Sequence, residues 1–311
     1  MANLTTITRR WRPGNTRTIH DSAGDRVFTV FNTLFLLAVL LAVLYPLVYV
    51  VSASFSDPHA VTSGRVKLLP VDFSTVGYEK IFEHPTIMRG FSNSLFYMIV
   101  GSSVNVAMTL LAAYPLSRRD LPGRKFLIVF FFFPMLFSGG LIPFFLVVRD
   151  IGLLNTRWAL IIPTAMSVWN LMIAISFFRT SIPAELLEAA QLDGCNDIQY
   201  FVRILLPLSG PIIAVLFLFY AVWHWNQYFN ALIFLDDQSL YPLQLVMRDI
   251  LILNDLDLAM LADVRTMAQQ QSLKEQLKFT MIVVSSLPVM MLYPFVQRHF
   301  VKGITLGAVK G

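Results

Sequence analysis

Six apolar runs, at residues 27–55, 90–116, 126–148, 158–178, 211–234 and 279–296, constrain this sequence more than any other feature. A helix rises ~1.5 Å per residue and the hydrocarbon core of a bilayer is ~30 Å thick, so a crossing needs about 20 apolar residues. Each run is near that length or beyond it. Backbone groups in lipid must be satisfied within the segment, and runs this long predict helices rather than barrel strands. The second and fifth runs are the most polar, with Asn93 and Asn105 in one and "WHWNQYFNALIF" in the other. The expected fold is therefore all-α and polytopic. One six-span domain covers 27–296, between polar tails 1–26 and 297–311. Composition agrees, since only 14% of residues are charged, against about a quarter in soluble domains.

The basic residues orient the spans. Loop 117–125, "SRRDLPGRK", carries four Lys/Arg, and loop 149–157 on the other side carries two. Short loops rich in Lys/Arg stay cytoplasmic. Both termini and loop 179–210 are thus expected in the cytoplasm, and loop 235–278 outside. The first apolar run is too long for the core of a cleavable signal peptide, so it reads as a retained span. A single cysteine, Cys195, leaves no intrachain disulfide to form. The net charge of +5 reflects the positive-inside loops and gives no argument for nucleic acid.

Loop 179–210 is patterned where a short hairpin would serve. In "SIPAELLEAAQLDG", Ser181 reads as an N-cap, Pro183 fits the first turn, and Glu185 lies at the positive end of the helix dipole. Leu186, Leu187, Ala190 and Gln191 fall near one face, with Glu188 and Asp193 toward others. Gly194 is a natural C′ residue. Asp197 would cap a second helix, closed by Pro207. Small Ala189, Ala190 and Gly194 allow close approach from outside. A hairpin resting on lipid headgroups would want Lys/Arg on its polar face. The first helix has none and is acidic, which favours a protein partner.

Glu188, Ala189, Ala190, Gly194, Ile204, Leu206 and Pro207 stand at the spacing of the EAA motif, and in these residues the chain resembles the permease subunits of bacterial ABC importers. The resemblance extends from the first span to the end of the chain and implies the type I importer permease fold in the inner membrane. It further implies that Glu185, Glu188, Ala189, Ala190, Asp193, Gly194, Ile204, Leu206 and Pro207 form coupling helices docked on an ATPase. The implied partners are a second homologous permease, two ATPase subunits that bind ATP and Mg, and an extracytoplasmic solute-binding protein. Within the family the chain is most similar to the smaller permease of carbohydrate importers of the maltose type. "LYPLQLVMRDIL" and "HWNQYFNALIF" are similar to the subgroup handling larger oligosaccharides, including uronate-containing ones from alginate or pectin. The terminal "FVKGITLGAVKG" resembles a tail reaching between the ATPase subunits; the other reading is an ordinary basic end anchoring the last span.

No Gly-x4-Gly-Lys-[Ser/Thr] loop, HExxH or Cys/His metal spacing occurs. No catalytic residue, metal site or cofactor is expected in this chain. For substrate, the fifth run offers Trp223, His224, Asn226, Gln227, Tyr228 and Asn230. Asn226 and Asn230, four apart, share a face of a continuous helix; rings stack on sugar C–H faces, and amides meet hydroxyls. Intramembrane amides also bond neighbouring helices, so both roles stay open, as they do for His224. In the third run, Pro134, Gly139, Gly140 and Pro143 permit either a kink or close packing. Loop 235–278 contains an amphipathic pattern; the family resemblance implies that such a loop touches the binding protein, and a lid over the pore is the alternative. An ion-driven secondary transporter would need intramembrane carboxylates, and no run contains one.

Overall fold

The computed structural model describes residues 22–252 and 267–308. The expected tail 1–21, the part of the outer loop at 253–266 and residues 309–311 lie outside these. The described residues are helical and form no strand. The chain divides into two units, up to Val48 and from Tyr49 onward.

Three helices are long and apolar enough to cross a bilayer: α1 (Ala23–Ser54), α3 (Pro85–Ser117) and Gln269–Leu292 within α12 (Met267–Ala308). Every residue of α1 from Ala23 to Leu47 is exposed, the pattern of a helix solvated by lipid rather than water. Between α1 and α3, the short α2 (Val76–Glu83) lies close against α12. A β-carbon on its Gly77 would fall 2.5 Å from Thr280 Oγ1, so only glycine admits this approach.

Three further pairs satisfy length and composition only when joined across a bend. The first is α4 (Arg124–Leu136) with α5 (Leu141–Asp150), bent by 117°. The expected continuous span 126–148 is corrected here. Phe137 turns extended and Gly140 sits at φ +82°, a conformation glycine takes without the Cβ penalty. The two pieces, 13 and 10 residues long, rise about 20 and 15 Å, and neither alone crosses ~30 Å. The second pair joins two 3-10 turns (Arg157–Thr164) to α6 (Val168–Ser181) at 51°. α7 (Glu185–Leu192) follows. The third pair is α8 (Asp197–Leu208) and α9 (Gly210–Trp225), bent by 80° at Ser209.

The expected fifth span is also interrupted. α9 stops at Trp225, and α10 (Phe229–Phe234) begins after three intervening residues. α11 (Leu243–Ile252) realises part of the amphipathic pattern expected in the outer loop.

α3 is central to the packing. Near its start, Ile87 joins Trp225, Leu243 and Leu277 in one apolar cluster, where Trp225 Nε1 donates to Ser285 O at 2.8 Å. Toward its end, Leu110 and Ala113 pack with Leu171, Ala174 and Leu216. Thr109 and Tyr220 share a buried hydroxyl contact of 2.7 Å. A π turn, Tyr97–Gly101, separates these two regions.

Candidate functional site

The α7–α8 pair presents small and acidic residues outward on an apolar footing. Ala190 is buried, with Leu187 half-buried beside it in a cluster containing Phe178, Tyr200 and Leu205. Glu185, Glu188, Ala189, Asp193 and Gly194 are exposed. Leu192 and Ile198 are 90% and 75% exposed, so the helix pair offers two apolar side chains that none of the described residues covers. Ile204 and Leu206 are half-buried in the footing, and Pro207 is exposed.

Local signals explain the turn. Gly194 has φ +76°; its N–H donates to Gln191 O at 3.0 Å, and the Cys195 N–H donates to Ala190 O at 2.9 Å. These two bonds are a Schellman ending, which satisfies the last helix carbonyls and requires a left-handed residue at C′. Nothing lies within 4 Å of a β-carbon placed on Gly194. Its glycine is therefore demanded by the backbone angle and not by crowding within this chain.

Three sequence expectations are corrected. Ser181 ends α6 instead of capping α7. Asn196, not Asp197, caps α8: its Oδ1 accepts from Gln199 N at 2.8 Å, while Gln199 Oε1 accepts from Asn196 N at 3.1 Å, a reciprocal capping box. The helix also runs past Pro207 to Leu208. An Asn and an Asp in succession both read as caps; only the three-residue spacing from Asn196 to Gln199 marks the true one.

Asp197, freed from capping, meets Arg118. The Arg118 guanidinium donates through Nη1 to Asp197 and through Nη2 to Asp120, with Nε to Asp120 Oδ1 at 2.9 Å. Tyr114 OH lies 3.3 Å from Asp197 Oδ1, to which it donates. The Arg118 bond holds the Asp120 carboxyl below the usual carboxylate range, and the bond to Asp120 pushes the Arg118 pKa further up. Sequence reasoning counted Arg118 only as a charge that orients spans. Beside this network an open cleft of ≈ 1030 Å³ is lined by Arg118, Arg179, Glu185 and Glu188 among others.

The six candidate substrate residues divide. Trp223, Asn226 and Tyr228 are exposed and Asn230 is half-buried. His224 is 0% exposed and Gln227 is buried. His224 Nε2 lies 3.3 Å from Asn105 Oδ1, and Gln227 Nε2 donates to Leu160 O at 3.5 Å. Both are packing groups in this conformation. The break after Trp225 also separates Asn226 and Asn230, which therefore do not share a helical face; Asn226 Nδ2 donates back to Val222 O at 2.8 Å. Asn93 and Asn105 bond backbone carbonyls across helices. Among the described residues no group of three His, Cys, Asp or Glu side chains could hold a metal ion.

Broken and unbroken apolar helices, with an exposed, glycine-terminated helix pair between two of them, are the architecture of a polytopic membrane protein. Residues 105–306 match the family described as the binding-protein-dependent transport system inner membrane component, and the chain belongs to that family. It is 42% identical over 294 residues to protein LplC of Bacillus subtilis, covering 94% of this chain and 98% of that one. It is 43% identical over 288 residues to the polygalacturonan/rhamnogalacturonan transport system permease protein YtcP of the same organism, covering 92% and 99%. Among solved structures it superposes, with a TM-score of 0.84 and 33% identity, on a bacterial ABC transporter involved in the import of the acidic polysaccharide alginate. That match covers 91% of this chain and 100% of the other. The chain is thus a multi-pass permease subunit of an ABC importer. Permeases of this kind act with a partner permease, ATPases and a binding protein.

Proposed function

We propose that this chain forms half of a translocation pore for an oligosaccharide, with uronate-containing fragments as its substrate class. The α7–α8 pair is its contact with a cytoplasmic ATPase, and Glu185, Glu188, Ala189, Asp193 and Gly194 form the docking face. Two ATPase subunits hold ATP and Mg, a second permease completes the pore, and an extracytoplasmic binding protein delivers the sugar. Both termini lie in the cytoplasm. Closure of the ATPases on nucleotide moves the helix pair and with it α6 and α9, switching access from one side to the other.

One observation carries this reading: the Schellman-ended α7 exposes Ala189, Gly194 and Leu192 together, a small, apolar and acidic surface that suits a protein cleft better than lipid headgroups. The acidic-sugar assignment is supported by the names of the relatives and the solved neighbour. An anionic sugar needs cationic partners. His224, the only candidate cation in the six apolar runs, is buried, so the reading assigns those cations to the partner permease or the binding protein.

The test is co-purification of the tagged chain in mild detergent, followed by reconstitution of the assembly in liposomes. A nucleotide-binding subunit and a second permease are expected in the preparation. Oligogalacturonate or oligoalginate should stimulate ATP hydrolysis. Equal stimulation by a neutral maltooligosaccharide would overturn the uronate assignment, and a chain purified alone that still transports would overturn the whole reading.

A further inference from the structure

We infer, resting on the docking reading above, that Arg118 and Asp197 are positioning residues that tie α3 to the ATPase-driven helix pair. The pair is covalently continuous with α6 and α9 but not with α3, which ends just before Arg118, itself 79 residues before Asp197. A displacement of the pair therefore reaches α6 and α9 along the chain. It reaches α3 through packing, through the α9 contacts Thr109–Tyr220 and Asn105–His224, and directly from the pair through this network.

Its construction is specific. Arg118 follows the last turn of α3 in an extended conformation, φ −68° and ψ 140°, which turns its side chain beneath the helix end. Its side chain is 15% exposed. Asp197 opens α8. Each charge thus lies at the helix end that favours it, cation at a C-terminus and anion at an N-terminus. The Asn196–Gln199 capping box removes any need for Asp197 as a cap. Tyr114, one turn before Arg118, reinforces the link with rings 6.0 Å from Tyr200 and 5.5 Å from Phe201. Arg124 Nε donates to Leu116 O at 2.8 Å, fixing the loop that carries Arg118 against the same helix end.

At its other end α3 is held to a different segment. Asn93 Nδ2 donates to Ser239 O at 2.8 Å and Tyr241 O at 3.1 Å, Tyr97 OH donates to Leu240 O at 2.8 Å, and Ser94 Oγ accepts from Leu243 N at 2.8 Å. A helix of 33 residues spans about 50 Å. α3 therefore runs as a rod from the driven helix pair to segment 239–243 on the opposite side.

The experiment compares two carboxylates that Arg118 holds. Asp120 lies in Arg118's own loop and bridges nothing; Asp197 bridges to the helix pair. In the reconstituted importer with both ATPases, its partner permease and its binding protein, oligogalacturonate uptake per ATP hydrolysed is measured, with assembly checked by co-purification. Asp197→Asn is expected to lower this ratio by up to about fivefold, the scale of a partly exposed charge pair, and Asp120→Asn to leave it near wild type. Arg118→Ala should behave like Asp197→Asn. Arg118→Lys, which keeps the charge but not the fork, should fall between. Equal ratios for Asp197→Asn and Asp120→Asn, both assembled, would overturn the inference. If Asp197→Asn does not assemble, Arg118→Lys decides, and a wild-type ratio there overturns it. Gly194→Arg separates the two levels of argument. Uncoupling by Gly194→Arg but not by Asp197→Asn removes only the α3 link, whereas full coupling in Gly194→Arg removes the docking face itself.

Discussion

His224 occupies the space that a side chain at position 101 would need: a β-carbon placed on Gly101 would lie 2.4 Å from His224 Nε2. Gly101 closes the π turn in α3, and the imidazole next to it reaches Asn105, one turn further on, at 3.3 Å. The glycine, the wider turn and the buried histidine are one packing arrangement, in which α9 approaches α3 closely.

Gly101→Ala should therefore destabilise the subunit by about 1–3 kcal/mol, the cost of overpacking. Combining it with His224→Ala should recover part of that loss, with a coupling energy above about 0.5 kcal/mol. Unfolding midpoints of both single variants and the double variant, in one detergent, supply the cycle. Simple additivity would mean that the two residues do not share this space.

Asn93→Ala should loosen the segment that follows α10. Asn93 holds the carbonyls of Ser239 and Tyr241 and accepts from Arg157 Nη2 at 3.2 Å. Removing a buried amide leaves its partners unpaired, at about 1–3 kcal/mol. Amide exchange at 236–243 should accelerate while exchange across α7 stays unchanged. Uniform acceleration in both places would indicate global loosening rather than loss of this clamp.

Gly194→Ala isolates the backbone requirement of the docking turn. The left-handed conformation costs an L-residue about 1–2 kcal/mol, and no neighbouring atom adds a clash. The loss should appear as faster exchange of the Gln191 to Cys195 amides with the rest of the subunit unaffected. An unchanged exchange rate would mean that φ +76° is not held in solution.

How far the chain could be read beforehand depended on whether the signal was local. The αL stop at Gly194 and the apolar footing of Leu187 and Ala190 follow from spacing alone. So does the existence of α3, which begins at Pro85, ahead of the apolar run, and whose Asn93 and Asn105 bond carbonyls of other segments. The sharp bend at Gly140 was visible as a breakpoint, but a Gly-Gly pair fixes no angle, and the 117° is read only from the fold. Asn226 and Asn230 seemed to share a face because helical spacing presumes a continuous helix, and nothing apolar or polar in "WHWNQYFNALIF" announces the stop at Trp225. The Arg118–Asp197 link joins residues 79 apart; only the fold brings them together, so a count of loop charges could not separate it from its neighbours.

The fifth-span candidates make the last prediction, because exposure divides them into two groups with opposite expected failures. Trp223, 40% exposed, and half-buried Asn230 have surface left to offer a sugar. His224 and Gln227 do not. Asn230→Ala should raise the half-saturating oligosaccharide concentration by about fivefold, the worth of one lost hydrogen bond of about 1 kcal/mol, with the unfolding midpoint unchanged. His224→Ala should do the reverse, costing about 2–5 kcal/mol of stability through the cavity it leaves and so lowering the midpoint before any change in sugar dependence. Transport kinetics and unfolding must be measured on the same preparations, since only the contrast identifies the path. If Asn230→Ala loses stability and keeps its kinetics, the amide is a packing group like Asn105, and the sugar path must run along the exposed aromatic edge at Trp223 and Tyr228 instead.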